Sequence, residues 1–249
     1  MNTLITSCLI LCAGFLLPVF PTSAQSPPVR TTTVQSSVVR SSTDSIIQQA
    51  TTHATSIYYD YIGDQLPIYN GMAHLAFDPG YKGSAYFLSE EAFTGSAVYE
   101  GLLYSDIHIL YDLVRDQLVI INRDGYPIDP YMDRVQEFSL SGHRFIHTAQ
   151  GVYDQLVTGF LTVMVRRTKK VEESIVGQEL IHTITAKDYF YVVKGGVYYP
   201  VHDQKSLLAL MSDRKKEVKD FIRSSGIRFR KGPEAAIVRI TGFYDQLAR

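Results

Sequence analysis

Acid–base chemistry in this chain would fall first to its aspartates. Asp106, Asp112 and Asp116 crowd one stretch, and Asp129 and Asp133 a second. Two carboxylates facing one substrate can hydrolyse a glycosidic bond, one as acid and the other as base or nucleophile. Asp112 stands out because it lies inside an apolar run, where a buried carboxylate needs a partner or a shifted pKa. Against that, an aspartate there can equally sit on an exposed strand face or stabilise a turn. Tyr189-Phe190-Tyr191 and Tyr198-Tyr199 could line an apolar or glycan pocket, or simply build a sheet core. Tyr111, Asp112, Tyr189 and Tyr191 are therefore the candidate ligand-binding residues, and no residue is assigned as catalytic.

Other chemistries find little. His143 and His147 are four apart, but His143-Arg-Phe-Ile-His147 reads as strand, where that separation spans about 13 Å, too far to share one ion. The remaining histidines are scattered without ligand spacing. Lys194-Gly195-Gly196 sits between strands and not at a helix start, so it is no phosphate loop. Gly83-Ser84 and Gly95-Ser96 lack the second glycine of a nucleophile elbow. Neither a metal nor a cofactor is expected.

Both cysteines, Cys8 and Cys12, lie in the first two dozen residues. Residues 4–20 are an apolar run broken by Pro18 and Pro21, then Thr22-Ser23-Ala24. This predicts a signal peptide over 1–24, cleaved between Ala24 and Gln25, although its start carries no Lys or Arg. The run is shorter than the ~20 apolar residues of a membrane anchor. Ile5-Thr6-Ser7-Cys8 looks like a lipobox but has almost no apolar segment before it. Cleavage would leave a cysteine-free, extracytoplasmic chain, periplasmic or secreted, without disulfide or thiolate chemistry and without a transmembrane segment.

The formal net charge of −1 conceals opposite halves: residues 1–165 carry −8 and residues 166–249 carry +7. The basic excess includes Arg166-Arg167-Thr168-Lys169-Lys170, expected in a loop, and Arg214-Lys215-Lys216 with Lys219 and Arg223, expected on a solvated helix face. Export argues against nucleic acid as a partner. Contact with an envelope or membrane surface stays open.

These groups need a scaffold. Residues 25–42 are Ser/Thr-rich with Pro27-Pro28 and read as a flexible segment. A single domain over 43–249 follows. It opens with an amphipathic helix capped at Thr43-Asp44, with Ile46, Ile47, Ala50, Ala54, Ile57 and Tyr61 at helical spacing and Gly63 as its stop. Strands are predicted over 96–104, 106–114, 117–122, 135–140, 143–148, 159–167, 180–193 and 196–202. Turns are predicted at Arg115-Asp116, Arg123-Asp124-Gly125 and Gly195-Gly196. Leu207, Leu208, Met211, Val218, Phe221 and Ile222 mark one helical stripe ending at Gly226, and Pro233 opens a last helix. The prediction is an α+β fold: an antiparallel meander, curved or half-barrel, flanked by an N-terminal helix and two C-terminal helices. The repeated Asp-Gln-Leu at 64, 116, 154 and 245 has no regular period.

Tyr69-Asn70-Gly71, Gly95-Ser96-Ala97-Val98-Tyr99-Glu100-Gly101, Leu110-Tyr111-Asp112-Leu113, Asp116-Gln117-Leu118-Val119 and the tail Lys205-Ser206-Leu207-Leu208 through Asp213-Arg214-Lys215-Lys216-Glu217 resemble an uncharacterised family of secreted proteins from Bacteroidota-type Gram-negative bacteria. The resemblance spans residues 44–247 and implies a location, not a chemistry. Three functions remain: an envelope binding or scaffolding protein without catalysis, which leads; a hydrolase using carboxylates around Asp112 and Asp129; and a carrier holding an apolar ligand in a curved sheet.

Overall fold

The structure, a computed structural model, describes residues 46, 47, 49–51, 53, 54, 57, 58 and 61–248. The predicted leader with its Ala24-Gln25 cleavage point, the Ser/Thr-rich segment and the Thr43-Asp44 cap lie outside them. The chain divides into Met1–His53 and Ala54–Arg249. In the first unit the described residues are helical, and Thr51 donates to the Ile47 carbonyl one turn back. In the second unit Ala54, Ile57, Tyr58, Tyr61 and Ile62 are helical. The predicted stripe is exposed where it is described, Tyr61 most of all.

The strands of the second unit are β1 (Gly71–Ala73), β2 (Phe93–Tyr99), β3 (Leu102–Asp112), β4 (Gln117–Ile121), β5 (Pro127–Pro130), β6 (Val135–Leu140), β7 (His143–Thr148), β8 (Gly151–Val157), β9 (Thr162–Val176), β10 (Glu179–Lys194) and β11 (Val197–Val201). They form one sheet in the order β1-β5-β4-β3-β2-β6-β7-β8-β9-β10-β11, with every pairing antiparallel. Three helices follow: α1 (Gln204–Leu210), α2 (Lys215–Ser224) and α3 (Pro233–Leu247). The α+β class and the antiparallel sheet are as predicted. The C-terminal stripe is not one helix, because it breaks after Leu210 into α1, a 3-10 turn at Ser212–Arg214 and α2.

The sheet curls. Five strand spacings separate β3 from β9, roughly 24 Å on a flat sheet at about 4.8 Å each. Yet the Lys169 amide of β9 donates to the carbonyl of Leu113, just past β3, at 3.0 Å. Residues 81–88, between β1 and β2, form a strap across this meeting. The Lys82 amide donates to the His182 carbonyl and the Ile184 amide to the Lys82 carbonyl, both at 2.8 Å, while Phe87 donates to Tyr111 at 2.8 Å.

Two apolar cores result. One gathers Tyr99, Tyr104, Ile109, Tyr111, Phe138 and Phe145 from the strands on the β2–β8 side of the curl, with Phe87 of the strap. The other places Leu207, Val218, Ile237, Ile240 and Tyr244 of the helices on Val163, Val192 and Val201. Phe221 and Phe243 stack at 4.0 Å between α2 and α3.

Three local differences have physical reasons. The run 96–104 is a hairpin and not one strand, because Glu100 (φ 51°) and Gly101 (φ 78°) both take the left-handed conformation that a two-residue turn needs. The Arg166–Lys170 cluster lies within β9 and not in a loop, since β10 pairs with it residue by residue and sets Asp188 opposite Arg167. Strand β8 went unpredicted because Asp154 and Gln155 interrupt its apolar pattern. Gly195-Gly196 does join β10 to β11 as expected.

Phe145 is 1% exposed and stacks on Phe138 at 4.9 Å. Phe145→Ala should cost about 3–5 kcal/mol in urea unfolding. A loss well under 1 kcal/mol would mean the first core is not packed this way.

Candidate functional site

Asp112 ends β3 and its side chain is fully buried. Oδ1 accepts the amides of Val114 and Arg115 at 2.9 and 3.0 Å, and Oδ2 accepts the Arg115 guanidinium at 2.9 Å. Both features weighed from sequence, burial and turn stabilisation, therefore hold at once. Arg115 in turn lies over the Phe77 ring, 4.1 Å from its centroid. Tyr111, one residue back, is a core side chain packed edge-on against Phe138 and Phe145, and its hydroxyl donates to Asp116. Burial, then the Asp116 charge, pushes that phenol well above its ordinary range. Asp116 holds φ at 56°, a conformation Asp tolerates better than most residues.

The strap carries a second polar set. His74 Nδ1 donates to Asp129 Oδ1 at 2.7 Å, which leaves Nε2 to accept from the Tyr86 hydroxyl at 2.7 Å. Burial raises the Tyr86 phenol first, and Asp112 and Asp129 both add to the shift. The two aspartates proposed as a hydrolytic pair thus both act on Tyr86, but each is held by other donors. Lys169 completes the set: its ammonium donates to the carbonyls of Ser84 and Tyr86 at 2.9 and 2.6 Å. Burial lowers its pKa, partly offset by Asp112 and Glu90.

Beyond Phe87 lies a third set. Asp154 of β8, fully buried, accepts His143 Nδ1 and Arg167 Nε on Oδ2, both at 2.7 Å. Arg167 also reaches Asp188 of β10 and Glu234 of α3, each at 3.0 Å. Its guanidinium sits over the Phe87 ring, 5.5 Å from the centroid. Burial raises the Asp188 carboxyl, and Arg167 opposes the shift. His147 turns instead to the Val135 carbonyl at 2.9 Å, so the two histidines of β7 have separate partners.

Tyr189 and Tyr191 are not brought to Asp112. Tyr189 is 40% exposed under the Lys187 ammonium, 4.9 Å from the ring centroid. Tyr191 packs with Tyr153 and Tyr198 at 5.6 and 6.4 Å. Among the described residues no group of three His, Cys, Asp or Glu is placed to hold a metal ion, and no helix is long and apolar enough to cross a membrane.

One exposed feature lies outside the sequence candidates. β9 and β10 pair for their whole length, from Val193↔Thr162 to Glu179↔Val176, and run out as an arm in which residues 172–180 are all exposed. Ile175, 76% exposed, stands opposite Leu180, 56% exposed, with Val176 beside them. Glu172, Glu173 and Glu179 surround them, and between 171 and 182 there is no Lys or Arg. Tyr81 of the strap stacks on His182 at 4.6 Å and props the base of the arm. Its signal was present: β-prone residues flank Gly177-Gln178, with Val171, Ile175 and Val176 before it and Leu180, Ile181 and Ile184 after.

Two outcomes check this geometry. Asp112→Ala leaves the half-buried amides at Val114 and Arg115 and the Arg115 guanidinium without their acceptor, and should cost about 1–3 kcal/mol in urea unfolding. Because burial raises the Tyr111 phenol, its contribution to stability is complete below about pH 10 and lost as pH rises through the higher native value. Phenolate absorbance and circular dichroism should therefore change together in alkali; tyrosines all titrating freely near pH 10 in a folded protein would contradict the burial of Tyr111. Comparison with known proteins finds no matching family model, no matching curated protein and no matching solved structure.

Proposed function

We propose that this chain is an exported binding or scaffolding protein of the bacterial envelope, without catalysis of its own, whose contact surface is the β9–β10 arm. The observation that carries it is the arm itself: residues 172–180 are all exposed, with an apolar pair at the tip. Large apolar side chains clustered in the open mark interaction sites more often than they serve a fold. The buried ionisable groups support the same reading from the other side. Asp112, His74 and Lys169 spend their hydrogen bonds on tying the strap and the hairpin turn, and Asp154 ties strands together through Oδ2, while its buried Oδ1 has no partner among the described residues.

Export follows from the leader read in the sequence and from the resemblance to a secreted family. Expressed with its own leader in a Gram-negative host, the protein should be recovered outside the cytoplasm with Gln25 as its first residue. A folded protein retained inside with Met1, Cys8 and Cys12 intact would remove the extracytoplasmic half of the proposal.

The binding half has its own check. A photo-crosslinking residue at Ile175 should give a discrete adduct in the native envelope, and the same residue at Lys216 of α2 should not. Equal labelling from both positions would remove the arm as the contact surface.

A further inference from the structure

The two edges of the arm differ. On the β10 side, the outward backbone groups of His182 and Ile184 are taken by Lys82 of the strap. On the β9 side, β8 pairs only as far as Val165, and the Lys169 amide is taken by Leu113. Backbone groups alternate in direction along a strand, so if Lys169 points outward, Val171, Glu173 and Ile175 do too. Among the described residues no strand pairs with these three on that side. This is an unpaired ladder on a β-prone segment without a Pro, with Lys170 at its start and Glu172 and Glu173 as its charged side chains.

We propose that this β9 edge, Val171 to Ile175, accepts an extended, cationic segment of a partner protein by strand addition; the inference rests on the arm being the contact surface. Main-chain bonds to the three outward residues supply the affinity, and neighbouring side chains supply the selection. Lys170 pairs with Glu172 at 2.5 Å and His182 lies 3.3 Å from Glu173. The three carboxylates of Glu172, Glu173 and Glu179 still outnumber the one lysine between 170 and 182, so lysine or arginine is favoured opposite this net acidic segment. Ile175 and Leu180 offer an apolar contact near the end of the added strand. A second copy of the chain fits poorly, because overlapping β9 edges would bring Glu172 and Glu173 of both copies onto one short ladder. An anionic bilayer is disfavoured by the carboxylate excess of residues 170–182.

The test uses the mature protein and labelled peptides of about six alternating residues, a typical strand length. Lysine–valine is the probe; glutamate–valine and a lysine–valine peptide N-methylated on alternate amides are the comparisons. The lysine–valine peptide should bind at least about tenfold tighter than either, and more weakly in high salt. Glu173→Pro removes one outward amide while leaving the bonds to β10, because Glu173 and His182 face each other without exchanging them, and should weaken binding about tenfold. Glu173→Lys keeps the amide and should remove the preference for lysine over glutamate. Circular dichroism checks that both variants fold.

N-methylation or Glu173→Pro without effect would overturn strand addition. Equal binding of both unmethylated peptides, lost together in Glu173→Pro, would overturn the cationic partner and leave the edge. No binding of any peptide, or capture by anionic vesicles instead, would overturn the inference while the Ile175 crosslink still reports on the arm.

Discussion

The curl of the sheet depends on one lysine. Lys169 uses its amide to join β9 to Leu113 and its ammonium to hold two strap carbonyls. A half-buried ammonium is costly to desolvate, and its lowered pKa records that cost; the two carbonyls and the charges of Asp112 and Glu90 offset it. Everything placed by the strap follows. Tyr86 reaches His74, Phe87 covers Arg167, and Tyr81 lies on His182. Residues distant in sequence thereby become one polar layer.

That layer also manages the boundary between the two cores. Strand β8 runs from one apolar cluster, at Val152, to the other, at Leu156 and Val157, with the buried Asp154 between them. Arg167 meets carboxylates from β8, β10 and α3, so one guanidinium links two neighbouring strands and the first turn of a helix. Its planar fork suits several acceptors at once in a way a lysine would not. Breaking such a set leaves a buried charge exposed to no solvent and no partner, which costs more than the set contributes when whole. The layer therefore fixes register and docking geometry more than it adds stability.

Local periodicity made much of this legible. Strands β6 and β7 fall on their predicted limits because apolar residues recur along them between turn residues, although Gln136-Glu137 interrupts the alternation where the pairing with β2 shifts register, and Gly195-Gly196 could hardly be anything but a turn. Pro233 opens α3 as its missing amide allows. What stayed hidden was long-range. The strap has no regular period, since its backbone bonds run mainly to the β3 end and β10, and Lys169 of β9 holds two of its carbonyls. The basic run at 166–170 looks like a loop until Asp188 is seen opposite Arg167. Asp112 could be weighed but not placed, because burial is a property of the packed molecule. His74 reads in the sequence as one scattered histidine without ligand spacing, because its partners, Tyr86 and Asp129, sit 12 and 55 residues away.

The arm separates two kinds of evolutionary pressure. Glu172 to Leu180 touch neither core, so substitutions there leave the hairpin intact as long as the strands still pair and Gly177 still turns. At the foot the situation reverses: Gly83 holds a positive φ, and a Cβ there would meet the Ile184 carbonyl at 3.0 Å. Folding therefore constrains the foot while the tip is left to whatever it meets. Substitutions among Glu172 to Leu180 can therefore accumulate at almost no cost to the body that carries the arm.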